Sequence, residues 1–177
     1  MTPTVSVVIP VGPGHAPYLP KALASVEAQT FTDWEIVIVD DTHLNDRVAN
    51  DDMLSPWYED NSPLWKGGRV VVTPGGKGAG HARNRGLDNA EAPWIVFLDA
   101  DDELMPRALE HLLDGAQEHP EASYIYGDWW NVWEGKEEYY QAPEYEQLKF
   151  LRHNLHVVTA LYPTKTLREL GGFDESL

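Results

Sequence analysis

The chain has 177 residues, 42% of them apolar and 24% charged, which suits one globular domain with a sizeable core. Its 29 acids outweigh 13 scattered Lys and Arg to give a net charge of -16, which argues against binding a nucleic-acid backbone or an anionic membrane and calls for a cation if the ligand is anionic. There is no cysteine, so disulfides, zinc–thiolate sites and thiol chemistry are excluded.

In chain order, residues 4–10 (TVSVVIP) form the first run that is apolar on both faces, the pattern of a central strand covered on two sides. Residues 17–30 follow, with Leu19, Leu23 and Val26 at i, i+4 and i+7, one helical face. A second buried strand, 34–40 (WEIVIVD), completes a strand–helix–strand unit of about 35 residues, the usual way to join parallel strands. Residues 41–68 read as an acidic loop with interspersed aromatics, 69–73 as a third strand, and 80–91 as a helix weakened by Gly86. The fourth strand is 94–99. The next helix has Pro106 in its first turn and a stripe of Leu109, Leu112, Leu113 and Ala116, and it stops near His119-Pro120. Residues 122–135 are aromatic-rich and read as two strands or one bent strand, and 134–147 as a polar loop. Leu148, Leu151 and Leu155 suggest a further helix, 157–163 a strand, and 164–170 a short helix stopped by Gly171-Gly172. The fold class is α/β, a single three-layer domain spanning 1–177.

The opening MTPTVSVVIP lacks the basic segment and long apolar run of a secretory leader. No apolar run approaches the ~18 residues that span a bilayer, so a cytoplasmic protein with no transmembrane segment is expected.

In an open α/β sheet, ligands bind beyond the carboxyl ends of the strands. There the sequence places Pro10-Val11-Gly12, Asp40-Asp41, Thr73-Pro74-Gly75-Gly76 and Asp99-Ala100-Asp101-Asp102. Two carboxylate clusters on one edge beside a glycine-rich loop point to a site. Asp99 and Asp101, spaced i, i+2 at a strand terminus, supply the oxygen ligands that suit Mg²⁺ or Mn²⁺ held with phosphate oxygens and water. The competing reading makes Asp101 or Asp102 the cap of the following helix, with Asp102 the better candidate for it.

Residues 74–86 (PGGKGAGHARNRG) match neither the P-loop nor the dinucleotide fingerprint. They are either a loop whose backbone N–H groups approach phosphate, with Arg83 and Arg85 adding charge, or a flexible loop with surface arginines. Among the histidines, His111 reads as surface, and His153 and His156 could share a helix face near substrate. No G-x-S-x-G elbow is present.

Taken together, SVVIPV at 6–11, Asp40-Asp41 after a strand, GxxxARNRGL at 78–87, FLDADD at 97–102 and GGFDE at 171–175 resemble family 2 glycosyltransferases. The resemblance covers nearly the whole chain and implies the GT-A fold, an α/β/α sandwich on a Rossmann-like, mostly parallel sheet. It implies inverting transfer from a nucleotide-sugar donor, with residues 1–102 as the donor half and 103–177 as the acceptor half. Carried over, Pro10 and Val11 border the nucleotide through their backbones and Asp40 bonds the base, usually uracil. Gly76 belongs to the donor-binding set, Arg83 lies near the base or the pyrophosphate, and Asp99, Ala100 and Asp101 form the DxD-type motif. Asp101 is the principal ligand of Mn²⁺ or Mg²⁺, and Asp99 lies near the ribose or the same ion. The GGFDE turn lies by the sugar and acceptor, the latter a glycan, a lipid-linked hydroxyl or a protein; a homo-oligomer is compatible.

Two departures from the family pattern stand out. The first loop reads PVGPGHAPY where a Tyr-Asn pair usually follows the proline. The acidic base usually found downstream of GGFDE is missing, because the sequence ends at Leu177. Three expectations follow: a shortened chain that binds donor but transfers poorly, substitution of Asp174 or Glu175 as base, or a base from a partner chain. The rivals are a non-catalytic nucleotide-sugar-binding module and a sugar nucleotidyltransferase, the latter disfavoured by a first loop whose nearest lysine is the distant Lys21. Residues 126–133 (YGDWWNVW) either stack on an acceptor sugar or pack internally.

Overall fold

The computed structural model describes residues 2–42, 68–146 and 158–176. Its main sheet has five strands: β1 (Val5–Val11), β2 (Trp34–Asp40), β3 (Gly68–Val72), β4 (Trp94–Phe97) and β7 (Leu161–Pro163), in the order β3-β2-β1-β4-β7. The first four pair in parallel, and β7 closes the edge antiparallel to β4.

Among the described residues, four helices cover the sheet, α1 (Leu19–Glu27), α2 (Ala79–Asn89), α3 (Ala108–Glu118) and α4 (Thr164–Glu169). Because successive strand side chains point to opposite faces, Val5, Val7, Ile9 and Val11 of β1 join Leu19, Leu23 and Val26 of α1 and Leu109, Leu112 and Leu113 of α3 in one core. Val8 points the other way, into a second core with Val37, Val39, Ala82 and Leu87, which Leu167 and Phe173 flank. All seven residues of β1 are buried, as a strand covered on both faces requires. This is the three-layer α/β/α sandwich expected from the sequence.

Four local expectations are corrected. Gly86 does not interrupt its helix, since α2 runs unbroken from Ala79 to Asn89. A Cβ at Gly86 would overlap Val8 Cγ1, so the missing side chain lets helix and sheet approach closely. The helix expected from Pro106 begins at Ala108, and Asp102 does not cap it. The Leu109 N–H is instead satisfied from across the layer, by Gln29 Oε1 at 3.1 Å, while Gln29 Nε2 donates to the Met105 carbonyl at 2.8 Å. The strand expected over 157–163 is confined to β7, bridged at Leu161 to Ile125.

Finally, the polar run 134–147 is not all loop. Lys136–Tyr140 is a strand, β6, paired antiparallel with β5 (Trp129–Trp133) about a turn at Glu134-Gly135. Trp129 stacks on Tyr140 at 5.5 Å across the pair, whereas Trp130 and Val132 face water, so this aromatic stretch is not core. The expected helix at Leu148, Leu151 and Leu155, the pair His153 and His156, and most of the loop 41–68 lie outside the described residues. His111 is exposed, as expected. Among the described residues no helix is long and apolar enough to cross a membrane.

Candidate functional site

Parallel pairing puts the carboxyl ends of β1, β2, β3 and β4 on one edge of the sheet. The chain runs outward from β1 to β2 and β3 on one side, then crosses to β4 on the other. The strand order therefore reverses between β1 and β4, the topological switch point beside which open α/β sheets place their ligands. Asp40, opposite Val11 in the register, and Asp99, two residues past β4, stand on either side of β1.

Asp99 is held by a charged hydrogen bond, Arg83 Nη2 donating to its Oδ1 at 2.7 Å. Arg83 comes from α2, is mostly buried, and lies 5.7 Å over the ring of Phe173. Phe173 meets Phe97 edge-on at 5.0 Å, Phe97 meets Tyr162 at 6.1 Å, and Tyr162 stacks on Tyr124 at 5.6 Å. This aromatic file aims the guanidinium at the strand end, and burial pushes the Tyr162 phenol up to about 12. Arg85, by contrast, pairs with Asp88 at the surface and takes no part in the site.

Asp101 points outward, its side chain half exposed. Asp102 has its carboxyl pushed above the usual range, first by loss of water around it and then by the charges of Asp99 and Asp101. Three acids in four residues with one arginine among them leave the edge short of positive charge. Among the described residues no group of three or more His, Asp or Glu could hold a metal alone. That donor set fits a cation that takes one or two carboxylates from the protein and its remaining ligands from phosphate and water, as Mg²⁺ and Mn²⁺ do at nucleotide sites. Ala100 is buried between the two acids, and Pro10 and Val11 are buried in the sheet, so all three offer only backbone.

Asp40 is fully buried, its Oδ1 accepting from the N–H and the hydroxyl of Thr42 at 3.0 and 2.6 Å. Its neighbour Asp41, not singled out from the sequence, organises the glycine-rich loop. Asp41 Oδ2 accepts from the N–H groups of Lys77 and Gly78 at 3.1 and 3.2 Å, its Oδ1 from the Thr73 hydroxyl, and its carbonyl from the Gly76 N–H at 2.8 Å. The expectation that this loop turns backbone N–H groups to phosphate is therefore corrected at Gly76, Lys77 and Gly78. Their donors point inward, because a buried carboxylate needs them.

The GGFDE turn is fastened to α2. Asn84 Nδ2 donates to the Phe173 carbonyl at 2.9 Å and to Glu175 Oε1 at 2.8 Å, and its Oδ1 accepts from the Phe173 N–H at 2.8 Å. Gly172 has φ +77°, and a Cβ there would overlap Asn84 Oδ1, so only glycine allows this approach. His81 Nδ1 meets Glu175 Oε2 at 3.0 Å. The bonds from Asn84 and then His81 hold the Glu175 carboxyl below its usual range, and those from Ser176 do the same for Asp174. A general base works best with an available lone pair and a pKa near the working pH. In this structure the carboxylates of Asp174 and Glu175, the two candidate substitute bases, are both hydrogen-bonded within or beside the turn.

His15, His81 and Asn84 were also missed. His81 and Asn84 lie three residues apart on one helical face, within the block from which only the arginines stood out. His15 sits where the family pattern is broken, its Nε2 4.0 Å from Asp101 Oδ2.

Comparison with known proteins agrees with this layout. The protein is 36% identical over 115 residues to the succinoglycan biosynthesis protein ExoW of Rhizobium meliloti, covering 64% of this chain and 33% of ExoW. The crystal structure of S. aureus TarS 1-349 in complex with UDP superposes with a TM-score of 0.72 at 21% identity, over 98% of this chain and 51% of TarS. The mannosyltransferase PcManGT from Pyrobaculum calidifontis, solved with GDP-Man and Mn2+, gives a TM-score of 0.62 at 22% identity, over 100% of this chain and 49% of PcManGT. The chain spans 19%, 9% and 33% of the length of three curated relatives it matches. The family model described as Glycosyl transferase family 2 matches residues 6–169, and the chain belongs to that family.

Proposed function

We propose that the chain is a glycosyltransferase domain that moves a sugar from a nucleotide-sugar, a UDP-sugar, to a hydroxyl on a glycan, a lipid-linked acceptor or a protein, with inversion. The observation that carries this reading is the strand edge itself, with Asp40 on one side of β1 and the Arg83-braced Asp99 and outward Asp101 on the other. Residues 1–102 form the donor half and 103–177 the acceptor half. Asp40 receives the base, and the backbones of Pro10 and Val11 border it. Arg83 holds Asp99 in place and brings positive charge to the diphosphate. Asp101, with Asp99 beside it, holds Mn²⁺ or Mg²⁺. When bound, that cation neutralises the charge that builds on the leaving nucleoside diphosphate. The TarS structure with UDP and the PcManGT structure with GDP-Man and Mn2+ support this assignment by analogy of fold.

A second reading, a nucleotide-sugar-binding module that does not transfer, is favoured by one observation. Both carboxylates of the GGFDE turn are engaged in hydrogen bonds with Asn84, His81 and Ser176, which supports a turn that is structural rather than catalytic.

Titration calorimetry with UDP and GDP, with and without Mn²⁺, tests both. UDP should bind more tightly with Mn²⁺, Asp101→Ala should abolish that gain, and Asp40→Ala should weaken UDP with or without metal. Unchanged metal dependence in Asp101→Ala would remove the metal assignment. Metal-dependent UDP binding without release of sugar from UDP-sugars would favour the binding module.

A further inference from the structure

The loops leaving β1 and β4 meet at the carboxyl edge of the sheet. The loop after β1 brings His15, and the loop after β4 brings Asp101. Both side chains are half exposed, and His15 Nε2 stands 4.0 Å from Asp101 Oδ2. The other ring nitrogen, Nδ1, lies 3.1 Å from the Pro13 carbonyl oxygen. A carbonyl only accepts, so in the neutral ring the proton is on Nδ1 and Nε2 turns a lone pair to the carboxylate. Two electron-pair donors therefore face one another, too far apart for a hydrogen bond, with the third acid of the cluster, Asp99, already taken by Arg83.

Two ligand atoms each about 2.1 Å from one octahedral cation are about 3 Å apart at right angles and about 4.2 Å when opposed. The observed separation of 4.0 Å lies close to the opposed spacing and well beyond the right-angle one. An Nδ1–H fixed on a backbone carbonyl is also how metal-binding histidines hold their tautomer and ring orientation. The bland alternative, an exposed imidazolium–carboxylate pair at this distance, contributes little to stability.

We propose that His15 gives its Nε2 to the divalent cation of the donor site alongside Asp101, and that this nitrogen biases the site toward manganese-like ions over magnesium. Magnesium holds to carboxylate, phosphate and water oxygens, whereas manganese, although the weakest of the first-row divalent series at nitrogen sites, is a transition ion that accepts an imidazole nitrogen beside oxygen ligands. The inference rests on the reading of Asp101 as the metal ligand, and the test separates the two.

Pulsed electron paramagnetic resonance of Mn²⁺ bound with UDP reports nitrogen coordinated to the ion. The unaltered protein should show the nitrogen coupling and His15→Ala should lack it. Manganese affinity should fall about tenfold or more in His15→Ala while magnesium affinity changes little. Asp101→Asn should lose both ions. If the unaltered protein shows no nitrogen coupling, or His15→Ala binds manganese as tightly, while Asp101→Asn still loses both ions, the His15 assignment is overturned and the reading of Asp101 stands. If neither substitution changes the binding of either ion, the metal reading of this edge falls and His15 with it. The coupling is read on the unaltered protein, so the test does not depend on the variants folding.

Discussion

Replacing Asn84 with alanine removes the amide that fastens the GGFDE turn to α2. Two of its bonds go to backbone, Nδ2 to the Phe173 carbonyl at 2.9 Å and Oδ1 from the Phe173 N–H at 2.8 Å. A neutral hydrogen bond contributes about 0.5–1.5 kcal/mol net, so the pair holds the turn by about 1–3 kcal/mol. The third bond, to Glu175 Oε1, adds to the same direction at the solvent edge. On this arithmetic the turn should open roughly 5- to 150-fold more often in Asn84→Ala. Amide hydrogen exchange reads that opening directly, because exchange follows the local opening equilibrium. Residues 173–176 should exchange faster by that factor, while amides of β1 and β2 keep their protection. Nucleotide affinity should fall as well, because Phe173 underlies Arg83 and Arg83 braces Asp99. Unchanged exchange at 173–176 would refute the reasoning, since something else would then hold the turn. A uniform rise across the sheet would refute it differently, making Asn84 a support of the whole fold.

Gly86→Ala should destabilise the protein by about 1–3 kcal/mol despite alanine's better helix propensity, worth at most about 1 kcal/mol, because the new Cβ must displace α2 from Val8; a denaturant melt with an unchanged or raised midpoint would contradict this. Acid should loosen the GGFDE turn through Glu175. Its folded pKa is depressed, so its bonds to Asn84 and His81 stabilise the fold fully above the ordinary value of 4.5 and are lost as pH falls through the lower folded value. Exchange at 173–176 followed from pH 6 to pH 3, in the parent and in Glu175→Gln, checks this; the variant should show the smaller acid dependence.

Much of the fold was legible because periodicity is a property of one element at a time. The unbroken Val/Ile runs of β1 and β2 required a sheet covered on both faces, and the Leu19, Leu23, Val26 spacing required a helix packed against it. Once four parallel strands were read, their carboxyl ends had to share an edge, which brought Asp40 and Asp99 to one side of the molecule without any knowledge of side-chain positions. The β5–β6 hairpin was less legible. Its residues are largely exposed, so no buried face imposed an alternation on Lys136–Tyr140, and cross-strand partners such as Trp129 and Tyr140 carry no mark of each other.

The layers, the parallel core and the acidic character of the strand edge follow from local pattern and from the rules for joining parallel strands, so residue order alone specifies them. Which groups on that edge are already committed depends on three-dimensional contacts. Asp41 draws the backbone donors of the glycine-rich loop inward, Arg83 takes Asp99, Asn84 and His81 take Glu175, and His15 comes to stand opposite Asp101. Some of these partners are tens of residues apart in the chain, as with Asn84 and Phe173, whose separation is 89. Their meeting depends on loop conformation and on how closely a helix can lie against the sheet, which a glycine at 86 or 172 permits and no single-element pattern records.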